Sequence, residues 1–363
     1  MSAERFISAR LHFKGKVAVC AIAISFLVII VSLAISEGFR KEIRSALSQA
    51  HGDISVSAPF VPPGIDSING ITGVTPAIYV QGIVKSGLHV KGVCFKGTER
   101  NDSIPLLADI PAGFAREMRL GPGDKMPAYF VGEKVQARNF IIGSVYDDPF
   151  NSGNSIIIRT SARDLQRLSG MQADEFTEIE LSLDGTYRDR QALRMKAGEI
   201  AFATGFPTAS LPDRFPQIFD WLDLIDVNVT AILVLMILVA GFNMISGLLI
   251  FLFRNTSTIG TLKSLGMTDR KIAGVFLLTS SRAVLKGMLI GNAAALLFCL
   301  VQDRTHILKL NPDNYFLSFV PASVNLPSII VTDLIAFAAI MLMITVSTLF
   351  ISKVDPAKTV RSL

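Results

Sequence analysis

The side chains that could catalyse a reaction or bind a metal are few and scattered along this sequence. Its 363 residues include four histidines and three cysteines, and none has metal-ligand spacing. These residues are His12, His51, His89, His306, Cys20, Cys94 and Cys299. The zinc-protease pattern H-E-x-x-H, the nucleophile elbow G-x-S-x-G and the phosphate loop G-x-x-x-x-G-K-[ST] are all absent. We therefore predict that this chain has no catalytic residue, no metal ligand and no cofactor of its own.

The helices and strands that would have to hold such side chains come from a mostly apolar sequence. Half of the residues are hydrophobic and only 18% are charged, a balance typical of membrane proteins. An uncharged apolar stretch of about 18 residues or more predicts a membrane-spanning helix. Four such helices are predicted, over residues 17–38, 227–253, 282–302 and 328–352.

The long interval between the first two spans has ordinary polar composition. Residues 39–226 are enough for a folded domain with its own core. Ile78–Lys85 and Leu88–Phe95 predict a β-hairpin around Ser86-Gly87, and further strands are predicted at Ser155–Arg159 and Phe176–Leu183. Helices are predicted after Thr160 and over Tyr187–Phe202. The predicted fold class is an α-helical membrane protein with four transmembrane helices plus a large mixed α/β extracytoplasmic domain between helices 1 and 2.

Lysine and arginine near the span ends predict the orientation. They are concentrated in residues 1–16, 254–281 and 353–363, which we assign to the cytoplasm. The domain and the loop 303–327 are then outside. Three basic residues that follow the first span disagree with this assignment: Arg40, Lys41 and Arg44. The other three spans decide the orientation, because each span takes the chain to the opposite side of the membrane. The net charge of +5 is accordingly interpreted as a topology signal rather than a nucleic-acid site.

A few polar residues fall within or beside the predicted spans. Arg282 and Lys286 are four residues apart and share one helix face, as expected for anchors at the inner interface. Asp333 is expected towards the outer end of span four, which argues against an ion pair with either of them. Asn243 lies in the middle of span two, where its amide predicts a contact with another helix or subunit.

The segment Arg254–Ile272 follows span two and has helical periodicity. Ile259, Leu262 and Leu265 recur every three residues and form one apolar stripe. Gly266 can end this helix and Thr268 can cap the next one. Two interpretations stay open from the periodicity: a helix lying on the lipid surface, or a docking helix for a cytoplasmic partner.

Several strings resemble a known family of transporters. "ILVAGFNMISGLLIFLFRNTSTIGTLKSLGMTDRKIAGVFLL" resembles the signature region of FtsX/MacB-type ABC transporter permeases. "ERFISAR", "GFRKEI", "HGDISV" and "VDPAKTVR" are similar to the membrane subunits of the lipoprotein-releasing (Lol) transporter. One departure is Thr256-Ser257-Thr258-Ile259, where that family commonly carries a charged, "REI"-like string. The order and spacing of the strings extend over essentially the whole chain.

The resemblance implies a permease subunit in the inner membrane with both termini cytoplasmic and its domain in the periplasm. Its implied partners are a second identical or related permease, a cytoplasmic ATPase dimer that binds ATP and Mg²⁺, membrane lipids, a lipoprotein substrate and a periplasmic carrier. ATP hydrolysis would occur in the partner, and no nucleic acid is expected. The ATPase would dock at Ile259, Leu262, Lys263, Leu265 and Gly266. Apolar faces of spans one and two could supply a substrate cavity lined by Phe26, Ile29, Ile30, Leu235 and Met236. Ordinary lipid-facing or helix-packing roles for the same residues stay open as the alternative.

Two other functions remain open from the sequence. A related permease could export peptides or small molecules, or transmit a signal without transport. A membrane-anchored sensor or scaffold would have no ATPase at all.

Overall fold

A computed structural model describes residues 16–87, 89–100, 104–131, 135–147, 156–185, 187, 189–311 and 317–351. The chain divides into two compact units. The membrane unit comprises the described residues up to Lys41, Leu222–Lys309 and the residues from Phe319 onwards. The sheet unit comprises Glu42–Trp221 together with the described part of Leu310–Ser318. The predicted cytoplasmic tail 353–363, and all but Lys16 of the amino-terminal segment, lie outside the described residues.

The helices and strands below are numbered in chain order within the described residues. The helices are α1 (Lys16–His51), α2 (Ala112–Met118), α3 (Ala162–Ser169), α4 (Arg190–Thr204), α5 (Leu211–Arg214), α6 (Pro216–Arg254), α7 (Thr256–Ser264), α8 (Asp269–Thr305) and α9 (Leu326–Ile351). The strands are β1 (Ile54–Val56), β2 (Ile71–Ser86), β3 (His89–Thr98), β4 (Leu107–Pro111), β5 (Lys125–Val131), β6 (Val135–Tyr146), β7 (Ile157–Ser161), β8 (Glu178–Leu183) and β9 (Thr208–Ser210), with a 3₁₀ turn at Ile65–Ser67.

Helices α1, α6, α8 and α9 correspond to the four predicted spans. By length and composition, these four helices of the described chain can each cross a membrane. Helix α1 continues to His51, well beyond the predicted span end at residue 38, and α6 begins at Pro216 rather than at residue 227. The α1 extension is polar but contains good helix formers, and the α6 extension alternates aspartates with apolar residues, so the end of an uncharged run does not end the helix. The membrane boundaries themselves remain predictions.

The core of the membrane unit is formed by all four long helices. Ile22 and Phe26 of α1 are buried with Met244 of α6, Phe276 of α8 and Ile340 of α9. Close packing of α8 on α1 depends on two glycines four residues apart. A Cβ added at Gly287 would lie 2.7 Å from Ile22 Cγ2, and one at Gly291 would lie 2.8 Å from Phe26 Cβ. This is the small-xxx-small arrangement that lets membrane helices approach closely.

Polar contacts also join α1 to α6 within the membrane unit. Ser36 Oγ donates to Asp226 Oδ1 at 2.5 Å. Arg40 donates to the other oxygen of Asp226 and lies 3.4 Å from Asp223 Oδ1. The two aspartates are three residues apart and therefore share one helix face. Arg40, one of the three basic residues that disagree with the predicted orientation, is thus paired with carboxylates.

The sheet unit is built on strands that form one sheet in the order β3-β7-β4-β6-β5-β2-β8-β1-β9 among the described residues. Strand β2 is 16 residues long and changes partner along its length. Its first part pairs with β8 and its second part with β3, where Ser86 lies opposite His89. The predicted hairpin around Ser86-Gly87 is therefore present. The unit has two hydrophobic cores, one around Phe95, Phe114 and Phe140, and one around Ile54, Leu181 and Leu193.

Other predicted elements of the domain are present with shifted ends. The strand predicted at 155–159 is β7, and the strand predicted at 176–183 is β8. The helix predicted after Thr160 is α3, which ends at Gly170 with a positive φ of 68°. The helix predicted over 187–202 is α4. Strands β1, β4, β5, β6 and β9 are not predicted by the sequence patterns above, because their apolar runs are short and interrupted.

The domain should fold without the spans. We expect a fragment from Phe39 to Asp220 to be soluble and to unfold cooperatively, because it contains both hydrophobic cores of the sheet unit. Amide hydrogen exchange checks this prediction: slow exchange is expected in the central strands. A fragment whose amides all exchange as in an unfolded chain would contradict the domain boundary.

Candidate coupling segment and polar junction

Residues 255–268 form the segment between α6 and α8, which we call the coupling segment. Asn255 interrupts the helix, and its Nδ2 donates to Phe251 O at 2.7 Å. Helix α7 follows and ends where Gly266 takes a positive φ of 83°. Gly266 N donates to Lys263 O at 2.9 Å, and Met267 N donates to Leu262 O at 3.0 Å. These bonds satisfy the last carbonyls of the helix, as in other glycine-ended helices. The predicted helix, its glycine end and the new helix starting after Thr268 are all present.

The predicted apolar stripe of this segment does not form one free surface. Ile259 and Leu262 are partly buried against the core of the membrane unit. Leu265, in contrast, is 78% exposed. Lys263 Nζ lies 2.7 Å from Asp269 Oδ1 in a solvent-exposed ion pair. Of the five residues predicted to contact an ATPase, Leu265, Lys263 and Gly266 are therefore the exposed ones.

The residues predicted to line a substrate cavity lie mainly in the helix core. Phe26, Ile29 and Ile30 are fully buried, and Met236 is partly buried against the same cluster. Leu235 is 55% exposed and lies outside that cluster. In this arrangement the first four side chains pack helices together. A cavity role remains a prediction and would require α1 and α6 to separate.

Asn243 lies on the outer surface of α6. The residue is exposed, and its neighbour Phe242 is 63% exposed. Its amide makes no hydrogen bond with any residue in the described ranges. The sequence predicts a contact of this amide with another helix or with another subunit. The described part of the chain supplies no such helix contact, so another subunit remains the predicted partner.

A buried polar cluster in the sheet unit was not predicted from the sequence, and we call it the polar junction. It lies where β2 leaves β8 and begins to pair with β3. Three members are nearly inaccessible to solvent: His51, Lys96 and Glu180 are 8%, 6% and 5% exposed. The cluster comprises His51 at the end of α1, Tyr79 on β2, Lys96 on β3, Glu178 and Glu180 on β8, and Arg214 at the end of α5.

Lys96 and Glu180 form the centre of the polar junction. Lys96 Nζ lies 2.7 Å from Glu180 Oε1 and 2.8 Å from Oε2. The same ammonium donates to the carbonyl of Ala50 in the last turn of α1. Tyr79 Oη donates to Glu180 Oε1. One carboxylate thus holds side chains from two strands, and the lysine connects them to the end of the first long helix.

Arg214 and Phe215 connect the polar junction to the start of α6. Arg214 Nη1 donates to Glu178 Oε2 at 2.6 Å, and its guanidinium lies 4.9 Å from the centroid of the Tyr79 ring. The His51 and Phe215 rings are 4.8 Å apart at their centroids. Residue 215 directly precedes α6. The last residues of α1 and the residues before α6 are therefore both attached to the same strands of the sheet unit.

Burial determines the charge state of the polar junction. It lowers the pKa of His51 to about 3, with Arg214 and Lys96 contributing in the same direction. Burial also lowers the pKa of Lys96, although Glu180 opposes this effect. The pKa of Tyr79 is raised, first by burial and then by Glu180. A neutral imidazole and a neutral phenol thus surround one ammonium–carboxylate pair, because each isolated charge would be costly there.

The neutral His51 makes the domain sensitive to acid. The unfolded chain binds a proton at His51 below its ordinary pKa of 6.5, whereas the folded domain does so only near 3. Unfolding therefore takes up a proton in this window, and the free energy of unfolding should fall as the pH drops from about 7 to about 3. The contribution of His51 over the whole window is on the order of 4 kcal/mol. Urea unfolding of the isolated domain at several pH values measures it.

His51→Phe is the matched control for this pH dependence. Phenylalanine keeps a ring against Phe215 but cannot titrate. The variant should lose less stability than the wild type between neutral and acid pH. Parallel pH profiles of the two proteins would show that His51 is not the residue responsible.

Comparison with known proteins gives a family match for the membrane region after the domain. Residues 230–356 match the family model described as FtsX-like permease C-terminal. This match includes α6 from residue 230 onwards, the coupling segment, α8 and α9. The membrane region after the domain is therefore an FtsX-like permease domain, and the resemblance noted from the sequence is confirmed.

The alignments with individual relatives extend over nearly the whole chain. The lipoprotein-releasing system transmembrane protein LolE of Haemophilus influenzae is 21% identical over 403 aligned positions, which cover 96% of this chain and 94% of LolE. The lipoprotein-releasing system transmembrane protein LolC of Xylella fastidiosa is 20% identical over an alignment that covers 97% of this chain and 94% of LolC. These are distant similarities, and they concern the complete arrangement of spans and domain rather than one motif.

Two solved domains are similar to part of the chain. The periplasmic region of MacB from Actinobacillus actinomycetemcomitans matches with a TM-score of 0.30 at 10% identity, covering 48% of this chain and 95% of that structure. The extracellular domain of the ABC-type transporter YknZ matches with a TM-score of 0.28 at 8% identity, covering 44% and 98%. TM-scores this low carry no functional conclusion.

Proposed function

We propose that this chain is the permease subunit of an ABC transporter that releases lipoproteins from the inner membrane and is driven by a separate ATPase. The observation that carries the proposal is the similarity to LolE and LolC along nearly the whole chain. The structure supports it with four long apolar helices, a folded domain between the first two, and a short helix between the second and third. A second permease subunit and an ATPase dimer that binds ATP and Mg²⁺ are the proposed partners.

In this proposal both termini are cytoplasmic and the sheet unit is periplasmic. The basic residues after the first span are the main objection to that orientation. Two of them are neutralised, since Arg40 pairs with Asp226 and Asp223, and Arg44 Nη2 lies 3.3 Å from Asp53 Oδ1. Lys263 in the coupling segment, with Arg254, Arg270 and Lys271 beside it, indicates the cytoplasmic side.

An energy source outside this chain is required by the proposed substrate. Removing acyl chains from a bilayer costs about 0.8 kcal/mol per CH₂, so several chains cost tens of kcal/mol unless protein surface replaces the lipid. A movement that begins at the coupling segment would pass along α6, which is a continuous helix from Pro216 to Arg254. The polar junction ties the residues before α6 and the end of α1 to three strands, so it would transmit that movement into the sheet.

Gentle detergent purification with mass spectrometry of protein and lipid tests the proposed function. Acylated protein and an ATPase recovered with this chain are the expected result. An ATPase without acylated cargo would instead support export of other molecules, or signalling. Recovery of no ATPase would favour a sensor or scaffold and would contradict the proposal.

Leu265→Asp should disrupt the docking of the ATPase. Leu265 is the exposed apolar residue of the coupling segment, and a buried aliphatic anchor typically contributes a large part of the binding energy at an interface. A charge in its place should reduce ATPase co-purification by about tenfold or more, because an anchor of this kind contributes about 2 kcal/mol. The amount of permease in the membrane should not change, since Leu265 lies outside the core cluster of the membrane unit.

Two variants of the same segment serve as controls. Ser257→Asp adds the same charge at an exposed position of α7 and should leave docking nearly intact. Lys263→Ala should have a weak effect, because rim charges contribute little. Leu262→Asp is not a clean probe, since Leu262 packs against the membrane core and the charge would destabilise the chain itself. Full ATPase binding by Leu265→Asp would show that the ATPase docks elsewhere.

A further inference from the structure

One partly buried polar pair joins α8 to α9 within the membrane unit. Asn292 Nδ2 donates to Asp333 Oδ2 at 2.5 Å. The second oxygen of each group, Asn292 Oδ1 and Asp333 Oδ1, is buried and has no hydrogen-bond partner among the described residues. Two buried oxygen atoms without partners, one on each side chain of a hydrogen-bonded pair, are costly as they stand. The contact places Asp333 level with Asn292, and Asp333 itself lies in the first third of α9.

Charged groups on the neighbouring helices do not compensate Asp333. In the described part of α9 it is the sole ionisable residue, and Val331, Leu334 and Ile335 around it are more than half exposed, as in a lipid-facing surface. On α8, Lys286 and Asp303 are about 9 and 16 Å from the level of Asn292 by helical rise. On α1, Glu37 accepts hydrogen bonds from Asn325 and Ser328 at the start of α9. On α6, Asp226 is bonded to Ser36 and Arg40.

We propose that Asp333 is a proton-binding site, neutral in the resting protein, whose Oδ1–H donates to Asn292 Oδ1. One proton then satisfies both unpaired oxygens, and the acid and the amide form a ring closed by two hydrogen bonds. An ionised Asp333 would leave a charge and an unpaired amide oxygen in the membrane, which is the costlier arrangement. The attachment of α8 to α9 at this level therefore depends on the bound proton. This inference does not rest on the lipoprotein-releasing function.

A metal cation is the other occupant that two unpaired oxygens could suggest. Hard cations such as Ca²⁺ take about six to eight oxygen ligands. The described residues offer only the two unpaired oxygens at this place. The ligand set therefore favours the proton, and the test below separates the two cases.

Labelling with dicyclohexylcarbodiimide tests the proposal on the full chain in lipid nanodiscs. This apolar reagent adds to a protonated carboxyl: the carboxyl oxygen bonds to the carbodiimide carbon and the proton moves to its nitrogen. Mass spectrometry should find the adduct at Asp333 at neutral pH, at about tenfold or more over the exposed carboxyl of Glu42. The yield should fall as the pH rises and should be equal in sodium and choline buffers. Labelling that appears only in acid, or that sodium prevents, would overturn the proposal.

A pair of variants at Asp333 provides a second readout. Asp333→Asn cannot titrate but can still exchange two hydrogen bonds with Asn292. Its thermal unfolding at neutral pH should match the wild type, and its pH dependence should be lost. Asp333→Leu leaves Asn292 without its partner and should unfold at a lower temperature. If Asp333→Asn is as unstable as Asp333→Leu, the site requires a negative charge and the proposal is wrong.

Discussion

Replacing Glu180 with alanine should lower the free energy of unfolding of the sheet unit by about 3–5 kcal/mol, the cost typical of breaking a buried ion pair from one side. The ammonium of Lys96 would keep only the Ala50 carbonyl as a partner while its side chain stays 7% exposed. Tyr79 would also lose its acceptor. A domain of this kind is stable by about 5–15 kcal/mol, so the loss is a large fraction of the total. Urea unfolding of the isolated domain measures it.

Two controls separate burial of the pair from mere loss of a charge. Glu178→Ala removes a carboxylate two residues earlier on β8, but its pair with Arg214 is about a quarter exposed on both sides. That loss should be no more than about 1 kcal/mol. The double variant Lys96→Met/Glu180→Leu replaces both charges with apolar groups of similar size and should recover much of the stability lost by Glu180→Ala. Equal, small losses from both glutamates would show that water solvates the Lys96–Glu180 pair.

The spans and the coupling segment could be predicted because their signals are local. An uncharged apolar run predicts a long helix wherever it occurs, and a glycine after a periodic stretch predicts the end of a helix. Gly266 and the four long helices follow from these rules. The same rules give no end for α1, because polar helix formers continue the helix beyond the predicted span as far as His51.

The polar junction could not be predicted because its members are far apart in the sequence and meet only through strand pairing. Lys96 lies opposite Tyr79 across β2 and β3, and Glu180 follows from the pairing of β2 with β8. One signal was available: Lys96 interrupts the apolar run of β3, and a charge on a buried strand requires a partner. The sequence therefore indicates that Lys96 needs a partner, but only the strand pairing shows that this partner is Glu180.

The apolar stripe of the coupling segment was predicted correctly as a pattern, but its surroundings were not. Periodicity shows which residues share a face and does not show what covers that face. Ile259 and Leu262 are partly covered by the membrane unit itself, while Leu265, after the end of the helix, is left exposed. For the same reason, the pattern alone could not separate cavity-lining residues of α1 from packing residues.

Gly291→Ala should destabilise the membrane unit strongly although it adds a single methyl group. The new Cβ would press on the Ala23 carbonyl oxygen and lie 2.8 Å from Phe26 Cβ. A backbone carbonyl cannot rotate away, so α8 must move off α1 along its length. We expect a loss at or above the upper end of the about 1–3 kcal/mol typical of overpacking. Cys299, on the same helix and 1% exposed, reports the change through faster maleimide labelling on heating.

Gly241→Ala is the matched substitution between α6 and α9, and the comparison decides what the glycines do. Its new Cβ would lie 2.5 Å from Met343 Sδ and 2.7 Å from Met343 Cε, the far end of a flexible side chain. Methionine can change rotamer to make room, so this variant should label at Cys299 almost as slowly as the wild type. Equal acceleration by the two variants would mean that any added methyl group perturbs the helices. A difference confined to Gly291 would show that α8 and α1 are held at backbone contact.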